Sequence, residues 1–156
     1  MMIARRALLA GLPSALMSLS RFSVAAELQQ FPTSELTIVS TTGPHRFKVE
    51  VAETPEQMTQ GLMFRRSLAP DAGMLFDYKE PTAATMWMRN TLIPLDMVFI
   101  QSDGRIRRIE QNTKPGSLRP ISSNGSVRAV LEMRAGTSKK YGIAPGDRII
   151  HPLFPQ

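Results

Sequence analysis

The residues best suited to chemistry in this sequence are a few charged side chains set in otherwise apolar stretches. Arg89 and Asp96 flank the connection Asn90 to Pro94, and Glu132 lies in a second apolar run, Val127 to Met133. A lone buried charge is costly, so each must be paired, hydrogen-bonded or placed at the mouth of a pocket. We therefore predict that Arg89 and Asp96 belong to one polar cluster at the rim of the core, with Glu132 as a candidate third member.

Two interpretations of these polar side chains stay open. In the structural one, Arg89 pairs with Asp96 or Glu132, and Asn90 closes its own turn, because asparagine tolerates left-handed backbone angles. In the functional one, an arginine at a pocket mouth binds a carboxylate or phosphate through its planar fork. The candidate ligand-binding residues are Arg65, Trp87, Arg89, Asn90, Asp96 and Glu132.

An enzymatic alternative uses two of these carboxyl groups. Asp96 and Glu132 could act as a general acid–base pair, as in glycoside hydrolysis, although the sequence does not fix their separation. The chain has no cysteine, no nucleophile elbow and no glycine-rich phosphate loop. The sequence therefore identifies no catalytic residues and favours a function other than catalysis.

The methionines around the single tryptophan allow a third function, soft-metal binding. Thioethers suit copper(I), and Met86 and Met88 with another methionine could form such a site near Trp87. If the strand is regular, however, Trp87 points away from both methionines. We expect these side chains to fill the core instead, because Met and Trp are usually buried. Only two histidines are present, without zinc spacing, so we predict no metal and no cofactor.

Predicted strands position these residues. Residues 85–89 and 95–99 have the pattern of two apolar strands joined by a short polar loop, with Pro94 at its exit. Both faces of both segments are largely apolar, which is typical of central strands covered on both sides. This pattern predicts that Trp87 lies in the core, and if the two strands run as a hairpin, their ends lie close together.

The rest of the chain repeats the alternation of strands and turns. Leu36–Ser40 and Phe47–Val51 predict a hairpin. Thr54 with Gln57 three residues later predicts a capped helix start, and Gly61 allows close packing after it. The fold prediction is mainly β: a compact barrel-like or sandwich domain of about eight short strands, mainly antiparallel, with one or two short helices.

The first 26 residues have the features of an export signal. Arg5-Arg6 precede an apolar run of 13 residues, Ala7–Leu19, and Val24-Ala25-Ala26 offers small residues for cleavage. The run is shorter than the roughly 20 residues that span a membrane, so we expect no permanent anchor. Both the general and the twin-arginine export routes are open. Removing this leader would take away three arginines and no acids, so the net charge falls from +6 to +3.

The chain therefore divides into residues 1–26 as a signal peptide, 27–35 as a lead-in, 36–152 as a single β-rich domain and 153–156 as a tail. Its mixed charges form no clustered basic stretch of the kind that a nucleic-acid partner needs. Without cysteines, the core must stabilise the domain without disulfides.

Three groups of residues also carry a family resemblance. They are Gln60–Arg65; Gly73–Phe76 with Trp87–Thr91 and Pro94–Asp96; and Val130–Glu132 with Gly136, Gly142 and Gly146–Arg148. Together they resemble the family catalogued as domain of unknown function 192, over about residues 36 to 151. The resemblance implies a small, β-rich, often exported prokaryotic domain. It implies no agreed activity and no agreed catalytic residues.

From the sequence we thus expect an exported protein, periplasmic or secreted after cleavage near Ala26. Its predicted function is that of a non-enzymatic small-ligand-binding or interaction module, whose partner is a small anionic or carbohydrate-like ligand or an envelope component. The alternatives are a small envelope- or carbohydrate-acting hydrolase using Asp96 and Glu132, and copper binding through methionines. We expect no nucleic-acid partner.

Overall fold

The structure is a computed structural model that describes residues 28–155; the predicted leader lies outside these residues. The described chain forms seven strands and two short helices, which confirms the mainly β prediction. The elements are β1 (Thr33–Ser40), β2 (Gly43–Ala52), α1 (Pro55–Gln60), β3 (Ala72–Met86), β4 (Leu95–Ile100), β5 (Ile106–Glu110), β6 (Ile121–Arg134), α2 (Thr137–Lys140) and β7 (Arg148–Ile150).

The strands form one sheet in the order β5-β4-β6-β3-β2-β1-β7. β1 and β2 pair as the predicted hairpin. β2 and β3 run parallel, with α1 in the connection between them, as parallel neighbours require a crossover. The two edges of the sheet approach each other, because Arg105 pairs with Arg148 and the Ile149 amide donates to the Gly104 carbonyl at 2.8 Å. The sheet is therefore curled into a half-barrel.

Apolar side chains cover both faces of the sheet, because residues along a strand alternate between faces. The inner face of the curl packs around one cluster, which includes Leu36, Ile38, Phe47, Val49, Leu75, Val98 and Leu131. The outer face carries a second cluster, which includes Leu62, Met74, Phe76, Leu95, Met97, Phe99 and Val130. The central strands β3, β4 and β6 contribute to both clusters, as their largely apolar sequences predict.

Residues 85–89 and 95–99 do not form the hairpin that would bring their ends together. β3 extends from Ala72 to Met86, so it joins two segments that the alternation alone separates, and β6 lies between β3 and β4. β3 keeps its pairing with β6 across register shifts between Asp77 and Thr82, where Lys79 has a φ of 65°. Bulges of this kind bend a strand without ending it.

The prediction that Trp87 lies in the core is wrong. The chain leaves β3 at Met86, and the Trp87 side chain is 47% exposed. Met88 takes the buried position instead, with its amide donating to the Ser117 carbonyl at 3.0 Å. The strand pattern fails here because residues 87–94 form a loop that is held by its own backbone contacts.

The predicted helix start is present at α1. The Gln57 amide donates to the Thr54 side chain at 3.3 Å, and the Gln57 side chain accepts from the Thr54 amide at 3.1 Å, which completes a capping box. Gly61 ends the helix with a φ of 47°. A Cβ atom at Gly61 would lie 2.8 Å from the Phe76 ring, so glycine lets this turn pack directly on β3.

Candidate functional site

An apolar cleft of about 280 Å³ lies between α1 with its following turn, the end of β3, and β6. Met58 and Met63 line it from the helix side, and Thr91 lines it from the loop after β3. Strand alternation supplies much of the rest of the lining. The side chains of β3 and its exit that line the cleft are Phe76, Tyr78, Thr85, Met86 and Trp87.

Two aromatic residues, Tyr78 and Trp87, complete the lining of the cleft. Tyr78 is mostly buried, and its hydroxyl donates to the Met86 sulfur at 3.3 Å. Trp87, half exposed, lies at the mouth. The cleft is therefore apolar inside and has the amphipathic indole of Trp87 at its entrance, an arrangement that is typical of sites for small organic ligands.

Glu132 is the one charged residue in the cleft lining. It lies on β6 between Met74 of β3 and Met97 of β4, and it is 4% exposed. Its carboxyl group has no hydrogen bond or ion pair with any residue of the described chain. Burial raises the pKa of Glu132 to about 8, because an apolar surrounding disfavours the charged form. Glu132 is therefore largely protonated at neutral pH and can donate a hydrogen bond into the cleft.

Tyr78 responds to the same surroundings. Burial, and then the charge that Glu132 carries when ionised, raise the pKa of Tyr78 to about 12. Both titratable groups of the cleft therefore favour their neutral forms at neutral pH. The cleft offers a ligand hydrogen-bonding groups without a net charge.

Asp96 does not belong to this cleft. It pairs in register with Met133, the residue after Glu132, so the two carboxyl groups project to opposite faces of the sheet. Asp96 is fully buried and accepts hydrogen bonds from the Ser138 amide at 2.9 Å, the Ser138 hydroxyl at 2.6 Å and the Asn112 amide at 3.0 Å. Through these hydrogen bonds Asp96 links α2 and the loop that begins after β5 to β4. A hydrolase that uses Asp96 with Glu132 needs both groups in one site, and the structure does not bring them together.

The predicted cluster of Arg89, Asp96 and Glu132 is likewise wrong. The Arg89 side chain is exposed, with its guanidinium 5.5 Å from the centre of the Trp87 ring. Arg65 forms a two-pronged ion pair with Glu50 on β2. Neither arginine lines the cleft. The loop from Trp87 to Pro94 carries Arg89 to the surface, whereas Asp96 has already entered a central strand.

Asn90 shapes the loop beside the mouth. Its φ of 55° is the left-handed conformation predicted from its residue type. Its carbonyl accepts from the Phe64 amide at 2.9 Å, and its side-chain amide lies 3.9 Å from the Met63 sulfur. Asn90 thus joins the loop to the turn after α1 and positions one wall of the cleft.

The structure separates the two methionines, Met86 and Met88, on which the copper hypothesis rests. Met58, Met63 and Met86 share the cleft, whereas Met88 is buried elsewhere. No group of three or more His, Cys, Asp or Glu residues in the described part of the chain could hold a metal ion. Within residues 28–155, no helix is long and apolar enough to cross a membrane.

Sequence reasoning missed most of the lining. Met58, Met63, Phe76 and Tyr78 were not candidates, although alternation along β3 places Phe76 and Tyr78 on one face. The missing information was the register of β6 against β3, which places Glu132 on that same face. Of the six candidates, Trp87 and Glu132 line the cleft, and Asn90 supports it.

Comparison with known proteins adds a family and two similar structures. The model of the DUF192 family, whose description is "Uncharacterized ACR", matches residues 37–151. No curated protein matches the chain. A crystal structure from Sinorhizobium meliloti 1021, described as a candidate transcription regulator, is 46% identical, with a TM-score of 0.77 over 80% of this chain and 97% of that one. A protein of unknown function from Novosphingobium aromaticivorans DSM 12444 is 39% identical, with a TM-score of 0.75 over 76% and 85%.

Proposed function

The chain belongs to the DUF192 family of uncharacterised proteins, and we propose that its domain binds a small, neutral, largely apolar molecule in the cleft. An oxygen atom of this ligand accepts a hydrogen bond from Glu132. The observation that carries the proposal is the Glu132 carboxyl group, which lines an apolar cleft without a hydrogen-bond partner in the described chain. No fully enclosed side-chain nitrogen or oxygen of the described residues lacks a hydrogen-bond partner, so the carboxyl oxygens of Glu132 are open to the cleft and a ligand group can bond to them.

The surroundings of Glu132 favour a neutral ligand over an ion. Its neighbours across the sheet are Met74 and Met97, and no cation lines the cleft. The sequence suggested an anionic ligand, bound by Arg65 or Arg89. Such a ligand would find no positively charged side chain inside the cleft. An ammonium group would require the desolvation of two charges in an apolar site, which is costly.

The size of the cleft limits the ligand. A volume of about 280 Å³ is near the lower end for sites that bind drug-sized molecules, which begin at roughly 300 Å³. The ligand is therefore a compact molecule with one or two rings or a short branched chain. It makes most of its contacts with methionine and aromatic side chains, which adapt to varied shapes.

The test uses three probes with the same apolar body: 2-adamantanone, which carries a neutral acceptor; 1-adamantylamine, a cation; and adamantane-1-carboxylate, an anion. Trp87 is the single tryptophan and lines the mouth, so its fluorescence reports occupancy directly. At neutral pH we expect 2-adamantanone to bind at least tenfold more tightly than either ion. Equal affinities, or an anion that binds best, would contradict the proposal.

Two variants separate the hydrogen bond from packing. Glu132→Met removes the donor and matches its methionine neighbours, so ketone affinity should fall about tenfold, the value of one hydrogen bond of about 1.4 kcal/mol. Glu132→Gln keeps a donor and should retain most of the affinity. Glu80→Gln, at an exposed position of β3, is the matched control and should change nothing. If Glu132→Met binds the ketone as tightly as the wild type, Glu132 does not contact the ligand.

Copper(I) is a second candidate ligand, because the thioethers of Met58, Met63 and Met86 line the same cleft. Competition for copper(I) against bathocuproine disulfonate tests it. Met86→Leu should lower the copper affinity, whereas Met97→Leu, a buried control outside the cleft lining, should not. If the wild-type chain takes no copper from the chelator, this candidate is excluded.

A further inference from the structure

Three loops, two of which contribute residues to the cleft lining, concentrate the exposed apolar side chains of the described chain. The loops are residues 61–70, 87–94 and 112–120. Of the seven large apolar residues that are exposed, four lie on these loops. They are Phe64 at 54% exposure, Trp87 at 47%, Leu92 at 54% and Leu118 at 66%.

Backbone hydrogen bonds join the three loops into one surface, here named the loop face. The Phe64 amide donates to the Asn90 carbonyl at 2.9 Å, and the Met88 amide donates to the Ser117 carbonyl at 3.0 Å. The central loop is therefore tied to both of the others. A shallow surface depression spans two of the loops, and its lining includes Arg89, Leu92 and Leu118.

The charge of the loop face has one sign. The three loops contain five basic residues and no acidic one. Two of the five form ion pairs with neighbours: Arg65 pairs with Glu50, and Arg119 pairs with Glu110, which also pairs with Arg108. The other three, which form no ion pair within the described chain, are exposed: Arg66, Arg89 and Lys114.

We infer that the loop face docks the protein on an anionic lipid surface. A bilayer interface accepts apolar side chains among the acyl chains while lipid phosphates contact neighbouring cations. Trp87 beneath the Arg89 guanidinium suits this boundary, because both side chains are amphipathic. The alternation of exposed apolar residues with cations distinguishes this face from a nucleic-acid site, where phosphate contacts need dense positive charge and exposed leucines contribute little.

The experiment measures flotation of the full chain with vesicles of phosphatidylcholine alone or with about one-third phosphatidylglycerol. We expect binding to the anionic vesicles, weakened by salt because the contact is electrostatic. Trp87 fluorescence should shift to the blue and be quenched by brominated acyl chains, since Trp87 lies on the loop face. Equal binding to neutral vesicles, or no quenching of Trp87, would overturn the inference.

Matched variants assign the binding to the loop face, with any contribution from the first 26 residues constant among them. Arg66→Gln with Lys114→Gln should weaken binding about fivefold for each cation removed, whereas Arg46→Gln with Lys48→Gln, exposed on β2, should not.

Leu92→Gln with Leu118→Gln should reduce the quenching, and Val39→Gln with Ile150→Gln, exposed elsewhere, should not. Glu132→Met should leave vesicle binding intact, so this inference can fail or succeed independently of the cleft. If the Arg66 and Lys114 variant loses affinity for duplex DNA but keeps its vesicle binding, the face is a nucleic-acid site instead.

Discussion

Replacing Glu132 by Gln should make the domain more stable, and increasingly so as the pH rises. In the folded state the pKa of Glu132 is raised by burial from its ordinary value of 4.5 to about 8. Between these values the folded protein holds a proton that the unfolded chain has lost. Its stability is therefore full below about pH 4.5, falls as the pH rises towards 8 and is constant above that. The glutamine side chain of the variant has no charge to bury at any pH.

The expected magnitude follows from the same values. At about 1.4 kcal/mol for each pKa unit, the raised pKa of Glu132 lowers the free energy of unfolding by about 3 kcal/mol at neutral pH and about 5 kcal/mol near pH 9. Glu132→Gln should therefore match the wild type near pH 4.5 and exceed it by these amounts at higher pH. The total stability of most domains is about 5–15 kcal/mol, so the effect should be easy to measure.

Urea unfolding followed by far-UV circular dichroism across this pH range measures the difference. Asp77 and Glu110 act in the opposite direction: burial opposes their ionisation, but hydrogen bonds from arginines and Lys79 outweigh it and lower the pKa of each carboxyl group. Their contributions are lost as the pH falls, and they are common to both proteins. Glu80→Gln serves as the exposed control. Parallel stability curves for wild type and Glu132→Gln would refute the account of a buried carboxyl group.

Three further predictions follow from other residues. Asp96→Asn should destabilise the domain by about 2–4 kcal/mol in urea unfolding, because one of the two buried accepting oxygens becomes an NH2 group, which cannot accept a hydrogen bond from Asn112 or Ser138. Arg89→Met should cost less than about 0.5 kcal/mol, and a double-mutant cycle should find the two effects additive. Gly61→Ala should cost about 1–3 kcal/mol, since its φ is positive and a Cβ would contact Phe76; an unchanged urea midpoint would contradict this. The protein recovered from an exporting cell should have the intact mass of a chain that begins at Glu27. A mass that includes the leader would contradict the export prediction.

The fold class was predictable because its signals are local. The capping box at Thr54, the β1–β2 hairpin and the apolar alternation of the central strands all follow from short-range patterns, and the structure contains them. Strand partners are a different matter. Nothing in residues 85–99 indicates that β6, more than 20 residues further on, inserts between β3 and β4. A hairpin of residues 85–89 with 95–99 is absent for this reason.

The candidate site was predictable only in part, for the same physical reason. Glu132 was identified as a charge in an apolar run, but its true neighbours, Met74 and Met97, depend on non-local pairing. Asp96 lies in a similar run, yet its partners come from α2 and the loop before β6. A charged residue in an apolar stretch is recognisable from the sequence. The residues that surround it depend on the register between paired strands, which the sequence does not show.

The pH dependence of 2-adamantanone binding, followed by Trp87 fluorescence, tests the central claim most directly. If protonated Glu132 donates the hydrogen bond, wild-type affinity should be constant below the raised pKa of Glu132 and fall above about pH 8, in total by at least the factor of about ten that the hydrogen bond contributes. Glu132→Gln, which donates at every pH, should bind with constant affinity across the same range. A wild-type affinity that rises with pH, or two identical profiles, would contradict binding through the neutral carboxyl group.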